Sequence, residues 1–412
     1  MERKEITRRI VDYLEGRERE ILDFACQLIA TPSPNPPGDE RQVAEVVLKK
    51  LAALGLQGAE VKAKKTERPN ILLRLPGKED EPVLLYNGHL DTKPAGDLTR
   101  WNTDPLKPTL VDGRLYGLGA GDMKGAIAAM IYAAAALRAT DVELDGDLLL
   151  VFSADEEGGS DYGAKYLVEE GIKADAALLG EPCGINEEWE YLTLISRGIT
   201  CFKIKVTGTQ THSSISDILP TVNASEKMAL VLSRMKKGLQ LTYDPHPLCP
   251  QGPTVNPGVM VWGGIYYGVY PGEAGFSTDI RTLPGMTLEG VRRDIEKFLD
   301  DLRDEDPELQ LELQFEPTAL GWIQATEIPP DHSLVRALLN ASETALGFRP
   351  PLGACPGTTD AAWFQGLAGI PTVPAFGPGR ITLAHTPNEY IAVDSLLRAA
   401  KLYALAAIEF LG

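Results

Sequence analysis

An apolar run, Leu148 to Phe152, passes through Ser153 and Ala154 into three consecutive acids, Asp155-Glu156-Glu157, and then a glycine pair, Gly158-Gly159. A run without polar alternation reads as a strand covered on both faces, which places it inside an α/β sheet. The carboxyl ends of such strands are where that architecture presents its chemistry. Three like charges gathered there repel one another unless cations lie between them. Taken alone, the triplet reads more readily as a turn of solvated acids, and it is the rest of the chain that overturns this by supplying partners.

The segments around this run alternate in type. Residues 5 to 31 carry helical periodicity, which the proline-rich stretch Thr31-Pro32-Ser33-Pro34-Asn35-Pro36-Pro37-Gly38 ends. A helix over 40–54 leads to candidate strands at 70–75 and 83–87, then a helix over 121–139, the strand 147–153, a helix over 162–170 and a short strand at 176–179. This is the order of a doubly wound sheet flanked by helices. Near residue 197 the character changes. Cys201-Phe202-Lys203-Ile204-Lys205-Val206 alternates apolar and polar residues, as a strand with one wet face does. The order from there to residue 315 is β-α-β-β-α-β, which fits a small antiparallel sheet with both helices on one face. After Pro317 the α/β character returns. Residues 1–196 and 317–412 are therefore expected to form one domain, with 197–316 inserted into it.

At 412 residues the chain is long enough for two cores, and 58 acids against 40 bases give a net charge of −18. Nothing forms a basic stripe, so nucleic acid and anionic membrane are not expected partners. The run from Ala126 to Leu137 is too short to span a bilayer and suits a helix packed tightly on a sheet. The N-terminus carries no apolar signal segment, and the five cysteines show no CxxC spacing. A cytoplasmic location with reduced thiols is expected.

Several other polar residues stand at strand ends. His89 and Asp91 follow the strand 83–87 and share a face if the chain stays extended. An imidazole bound to a metal is usually fixed by a carboxylate, and Asp91 can either do this or ligate directly. Asp122 lies in the glycine-rich stretch before the 121–139 helix, where an N-cap would also place an Asp. Glu181 follows the short strand, and His385 precedes the closing helix. Two histidines with Asp122, Glu157 and Glu181 suit two borderline cations such as zinc better than magnesium, which favours oxygen octahedra.

The segments Asn87-Gly88-His89-Leu90-Asp91-Thr92, Gly121-Asp122-Met123-Lys124-Gly125, Asp155-Glu156-Glu157-Gly158, Gly180-Glu181-Pro182 and His385-Thr386-Pro387-Asn388-Glu389-Tyr390 come in an order that resembles the M20 metallopeptidases and deacylases. That family includes acetylornithine deacetylase, succinyl-diaminopimelate desuccinylase, aminoacylase and glutamate carboxypeptidase. The resemblance implies a zinc-peptidase-like catalytic domain with a mixed central sheet, plus an inserted ferredoxin-like lid that forms a homodimer. It further implies two divalent metal ions, zinc with cobalt or manganese as alternatives. His89 and Glu181 would hold one and Glu157 and His385 the other, with Asp122 bridging both. Glu156 would be the general base and Asp91 the support for His89. His212, in Gly208-Thr209-Gln210-Thr211-His212, resembles a lid histidine that reaches the partner subunit's site and stabilises the developing oxyanion. Arg281 resembles a residue that binds substrate carboxylate, and Gly357, Thr358 and Thr359 match a substrate loop. The implied reaction is hydrolysis of the amide bond in a small N-acyl amino acid; exopeptidase action on a short peptide is the alternative, and a non-catalytic binding protein is the reading from another class. Leu118 departs from the family, where arginine is common, while His246 and His332 match no motif and are expected to be structural or exposed.

Overall fold

The computed structural model describes residues 3–412. The chain divides into two compact units, the first comprising residues up to Ser196 with Glu327–Cys355 and Thr359–Gly412, the second Arg197–Thr326 with Pro356–Thr358.

The first unit is built on a six-stranded mixed sheet in the order Glu60–Lys62, Asn70–Leu75, Asp147–Ser153, Val83–His89, Ala176–Leu179, Thr372–Val373. Asn70–Leu75 pairs antiparallel with both of its neighbours, Glu60–Lys62 at the edge and Asp147–Ser153. The last four strands run parallel to one another. Val83–His89 and Asp147–Ser153 are buried at every position, which explains their unbroken apolar runs. Successive side chains leave on opposite faces. Tyr86 points to the closing helix Val393–Leu411, donating its hydroxyl to the Tyr403 carbonyl at 2.8 Å. Val83 and Leu85 instead join Leu149 and Val151 in a core under the helices Ala164–Glu169 and Ala361–Phe364.

The helix Gly125–Ala139 is buried along nearly its whole length, and its alanines let it lie close to the sheet. A Cβ on Gly88 would come within 2.9 Å of Ile127, and one on Gly180 within 2.8 Å of Ala126 and Met123. Glycine at these two positions lets the strand ends approach the helix.

The second unit is a four-stranded antiparallel sheet ordered Thr254–Gly263, Glu273–Thr282, Gly198–Thr207, Gln310–Phe315. Helices Ala224–Gly238 and Leu288–Glu305 cover one face, with Phe202, Ile204 and Val206 inside and Lys203 and Lys205 half-buried on the other face. This is the ferredoxin-like arrangement.

The structure differs from the sequence reading in four places, the first being that Pro356–Thr358, expected with 317–412 in the first domain, clusters with the second unit. The N-terminal periodicity is split into Arg3–Glu15 and Glu18–Ile29 around Gly16. The second unit runs on to Thr326, because Ile323 bridges to Ile199 and Thr200 donates to the Gly321 carbonyl at 2.7 Å. The helix expected from Gly121 begins only at Gly125, and Asp122 has extended backbone angles and caps nothing.

Candidate metal centre

Three parallel strands deliver the first residues. His89 ends its strand in register with Ser153, and Asn87 lies opposite both Val151 and Leu179. The turns beyond these strand ends therefore bring His89, Asp155-Glu156-Glu157 and Glu181 to one edge. Asp122 arrives from the irregular segment ahead of the helix Gly125–Ala139. His385 comes from the loop after Gly377–Arg380, a strand paired in parallel with Pro182–Gly184 next to Glu181.

Asp122 turns its two oxygens to different histidines. Oδ1 is 2.9 Å from His89 Nε2, and Oδ2 is 3.2 Å from His385 Nε2. His89 Nε2 is also 3.6 Å from Glu181 Oε1, and His385 Nε2 is 2.9 Å from Glu157 Oε1. Two groups result, His89 with Glu156 and Glu181, and Asp122 with Glu157 and His385, with the donor atoms of each within 4.8 Å of one another. Donor atoms about 2.0–2.1 Å from a tetrahedral zinc ion stand roughly 3.3 Å apart. The observed spacings of 2.9–3.6 Å match that requirement, so the residues present fit two cations sharing Asp122.

The same crowding sets the proton affinities. Burial works to lower the His89 pKa, yet Glu181, Asp122 and Asp91 hold it well above the ordinary histidine value. Desolvation likewise opposes protonation of His385, and the Asp122 and Glu157 carboxylates outweigh it, raising the pKa to about 10. Burial pushes Asp122 up, but the hydrogen bonds from His385 and His89 keep it below its usual value. Desolvation and mutual repulsion lift Glu156 and Glu181 well above the carboxylate range. Protons and cations therefore compete for these atoms, and a group with a raised pKa must lose its proton when a cation arrives. Cation binding at pH 7.5 is expected to release protons and to strengthen as pH rises. Calorimetry in buffers of different ionisation enthalpy measures the release; an enthalpy independent of buffer would contradict it.

Asp91 holds more than His89. His89 Nδ1 lies 3.0 Å from the Asp91 carbonyl oxygen and 3.5 Å from its Oδ1. The carboxylate accepts from the amides of Glu156 at 3.2 Å and Glu157 at 3.1 Å and from Asn35 Nδ2 at 2.8 Å. Asp155, with φ 63°, is turned away into a buried pairing with Arg68 Nη2 at 2.7 Å and Asn35 Nδ2 at 2.9 Å, while Arg68 also pairs with Glu40. The three acids thus have separate fates. Asp155 is neutralised beneath the turn, which leaves Glu156 and Glu157 facing the cluster. The Lys93 backbone amide donates a hydrogen bond to Glu157 Oε1 at 3.2 Å, and its ammonium stands 3.2 Å from Oε2.

Glu389 shares a motif with His385, yet nothing in the sequence gives it a role. It is 2 % exposed and accepts from the amides of Gly119 at 3.0 Å, Gly121 at 2.9 Å and Asp122 at 3.0 Å. Its carboxylate shapes the segment that carries Asp122. Glu389→Ala is expected to lower cation affinity about 10–100-fold, the usual consequence of losing a group that orients a ligand. Glu389→Gln, which turns an NH₂ toward an amide donor, should fall between Ala and the unaltered protein. Competition with a chromogenic chelator measures both; equal affinity in all three proteins would show that Glu389 does not position Asp122.

Of the other predicted residues, Thr359 lies in the first unit, its amide donating to Ser196 Oγ at 3.1 Å. The second unit holds His212, Arg281, Gly357 and Thr358. His212 is exposed, and its Nδ1 accepts from the Ser214 amide at 3.2 Å, so the neutral ring carries its proton on Nε2. Arg281 Nη1 donates to Thr358 Oγ1 at 3.3 Å, and its nearest acid, Asp279, is 3.9 Å away. His332 caps the helix Ser333–Ala345 through Nδ1, and His246 Nδ1 accepts from the Leu248 amide.

The family model for peptidase family M20/M25/M40 matches residues 85–409, a span that carries His89, Asp122, Glu156, Glu157, Glu181 and His385. The chain belongs to this family. As an M20 protein it is a metal-dependent hydrolase. It is 34% identical over 314 residues to acetylornithine deacetylase from Salmonella arizonae, covering 75% of each chain. It is 29% identical over 392 residues to succinyl-diaminopimelate desuccinylase from Nitrosospira multiformis, covering 93% of this chain and 96% of that one. Among solved structures, a di-peptidase from Saccharomyces cerevisiae superposes with a TM-score of 0.77 at 18% identity, covering 98% of both chains. The M20 metallo-carboxypeptidase from Sulfolobus solfataricus gives 0.74 at 20% identity, covering 95% of this chain and 99% of that one. These two likenesses speak for the M20 fold. Among the described residues no helix is long and apolar enough to cross a membrane.

Proposed function

We propose that this M20 protein removes the acyl group from a small N-acyl amino acid, using two divalent cations held by His89 and Glu181 on one side and by Glu157 and His385 on the other, with Asp122 between them. The observation that carries this reading is the division of the Asp122 oxygens between His89 and His385, with Glu156 alongside. Imidazole mixed with carboxylate favours zinc, with cobalt and manganese as substitutes. Two cations held there would polarise an amide carbonyl and make a bound water more acidic. Glu156 then accepts the water proton and returns it to the leaving nitrogen. Asp91 keeps Glu156 and Glu157 in place through their amides. Arg281, with Thr358 beside it and Gly357 and Thr359 in the same loop, pairs with the substrate carboxylate. His212 offers its Nε2 proton to the developing oxyanion in a second copy of the chain.

A homodimer is part of this reading. The strand Thr254–Gly263 lies at the edge of its sheet with Val259, Met260 and Val261 each more than half exposed, an edge that invites pairing with a second copy. Five cysteines, none of them in a disulfide, agree with action in the cytoplasm.

The deacetylase and desuccinylase among the sequence relatives favour an acyl group over a peptide. The family's peptidases keep exopeptidase action as the second reading. Turnover of N-acetyl and N-succinyl amino acids against dipeptides, each with zinc, cobalt and manganese, decides between them. Deacylation faster than dipeptide cleavage supports the proposal; dipeptides cleaved with acylated amino acids untouched would replace it with the second reading.

A further inference from the structure

Glu156 and Glu157 stand on a short turn, Glu156–Gly158, whose two ends are unusual. Asp155 and Ser160 both have φ 63°, a left-handed conformation that is uncommon for residues with a Cβ and persists only where the surroundings fix it. The Ser160 amide donates to the Asp155 carbonyl at 2.7 Å, which closes the turn between them. At the Asp155 end the carboxylate is fixed by Arg68 and Asn35 and accepts from the Tyr162 amide at 3.1 Å. The group that fixes the other end comes from 200 residues further along the chain.

That group is the buried carboxylate of Asp360. Its Oδ1 accepts from the Ser160 hydroxyl and its Oδ2 from the Ser153 hydroxyl at 3.2 Å. One side chain therefore grips the last residue of the strand before the turn and the first left-handed residue after it. Ser153 is itself held by Asn87 Nδ2 at 3.0 Å, and all four residues are buried. Asp360 stands at the N-cap of the short helix Ala361–Phe364, where an Asp commonly accepts from the first amides, yet its side chain makes no capping bond. It belongs to neither group of candidate cation donors. A carboxylate forms charge-assisted bonds roughly twice as strong as neutral ones, so this is a stiff anchor in a place where burying a charge is costly.

We propose that Asp360 is a positioning residue for the hydrolytic reaction: by holding the Ser153 and Ser160 hydroxyls it fixes where the turn places the Glu156 carboxylate. Asp91 restrains the same turn through the amides of Glu156 and Glu157, and Asp360 restrains its two ends. The inference rests on Glu156 being the base. Asp360 acts through the turn and touches no reacting atom.

The test combines kinetics at saturating cation, on the fastest-cleaved compound of the acylated amino acid and dipeptide panel, with hydrogen exchange of the cation-free protein. Asp360→Ala is expected to lower kcat about 10²-fold with KM little changed, the cost of misplacing a reacting group by roughly 1 Å. The amides of Glu156, Glu157 and Ser160 should exchange faster in it, because the turn opens locally. Asp360→Asn keeps one acceptor oxygen and turns an NH₂ toward the other serine, so it should recover much of the loss. In a Glu156→Gln background Asp360→Ala should add little, since groups that act as a unit are not additive. The proposal is overturned if Asp360→Ala keeps its kcat, if it lowers kcat by the same factor with and without Glu156, or if the Asn variant is no better than Ala. Should Asp360→Ala fail to fold, Ser160→Ala decides, and an unchanged kcat there overturns the proposal. Full activity in Glu156→Gln alone would instead remove the base assignment beneath it, a result distinct from all of these.

Discussion

Glu156→Gln is expected to lower turnover by about 10²–10⁴-fold, the range over which a positioned proton-transfer group accelerates hydrolysis, with the cation content unchanged. Glutamine keeps the shape and one acceptor oxygen but takes up no proton. The amide of Glu156 stays bonded to Asp91 Oδ1, so the turn keeps its backbone anchor. Metal analysis is the deciding companion measurement, because the Glu156 carboxylate stands in one group with His89 and Glu181. Activity and one cation lost together would make Glu156 a ligand and leave the base to be found elsewhere.

Asp122→Ala should have the widest effect, weakening both cations at once and taking activity down roughly 10³-fold or more, since metal assistance supplies several kcal/mol and each 1.36 kcal/mol is tenfold in rate. Each of its oxygens belongs to a different histidine, whereas Glu181 and Glu157 each serve one. Glu181→Ala and Glu157→Ala are therefore expected to weaken one cation each. Asp122 makes no capping bond to the helix Gly125–Ala139, so circular dichroism should be unaltered by its removal. An Asp122→Ala protein that still held two cations with normal affinity would end the bridging assignment.

Much of the frame was legible in the residues. Strands buried on both faces must be apolar throughout, which marked 83–87 and 147–153, and an alternating strand has one wet face, which marked 201–206. The histidine and acids at the ends of those strands were legible for the same reason, because chain direction puts them where the sheet ends. Asp122 was open between a helix cap and a site residue. Its placement, with extended backbone angles and oxygens at two histidines, is what removes the cap reading and supports the proposed role. The bonds of Asn35 and Arg68 to Asp155 span 120 and 87 residues, and no local pattern announces pairings at such separations. Glu389 was invisible in another way: its partners are backbone amides, which every residue but proline carries.

The sequence by itself determined the two-unit α/β and ferredoxin-like plan and the identity of the atoms able to bind cations, because hydrophobic period and side-chain chemistry are local properties. The tertiary structure decided which acid of Asp155-Glu156-Glu157 is neutralised by Arg68 and which two face the cluster. It also decided that Asp122 sets its two oxygens at two different histidines. These depend on distances between segments remote in the chain, which only packing sets.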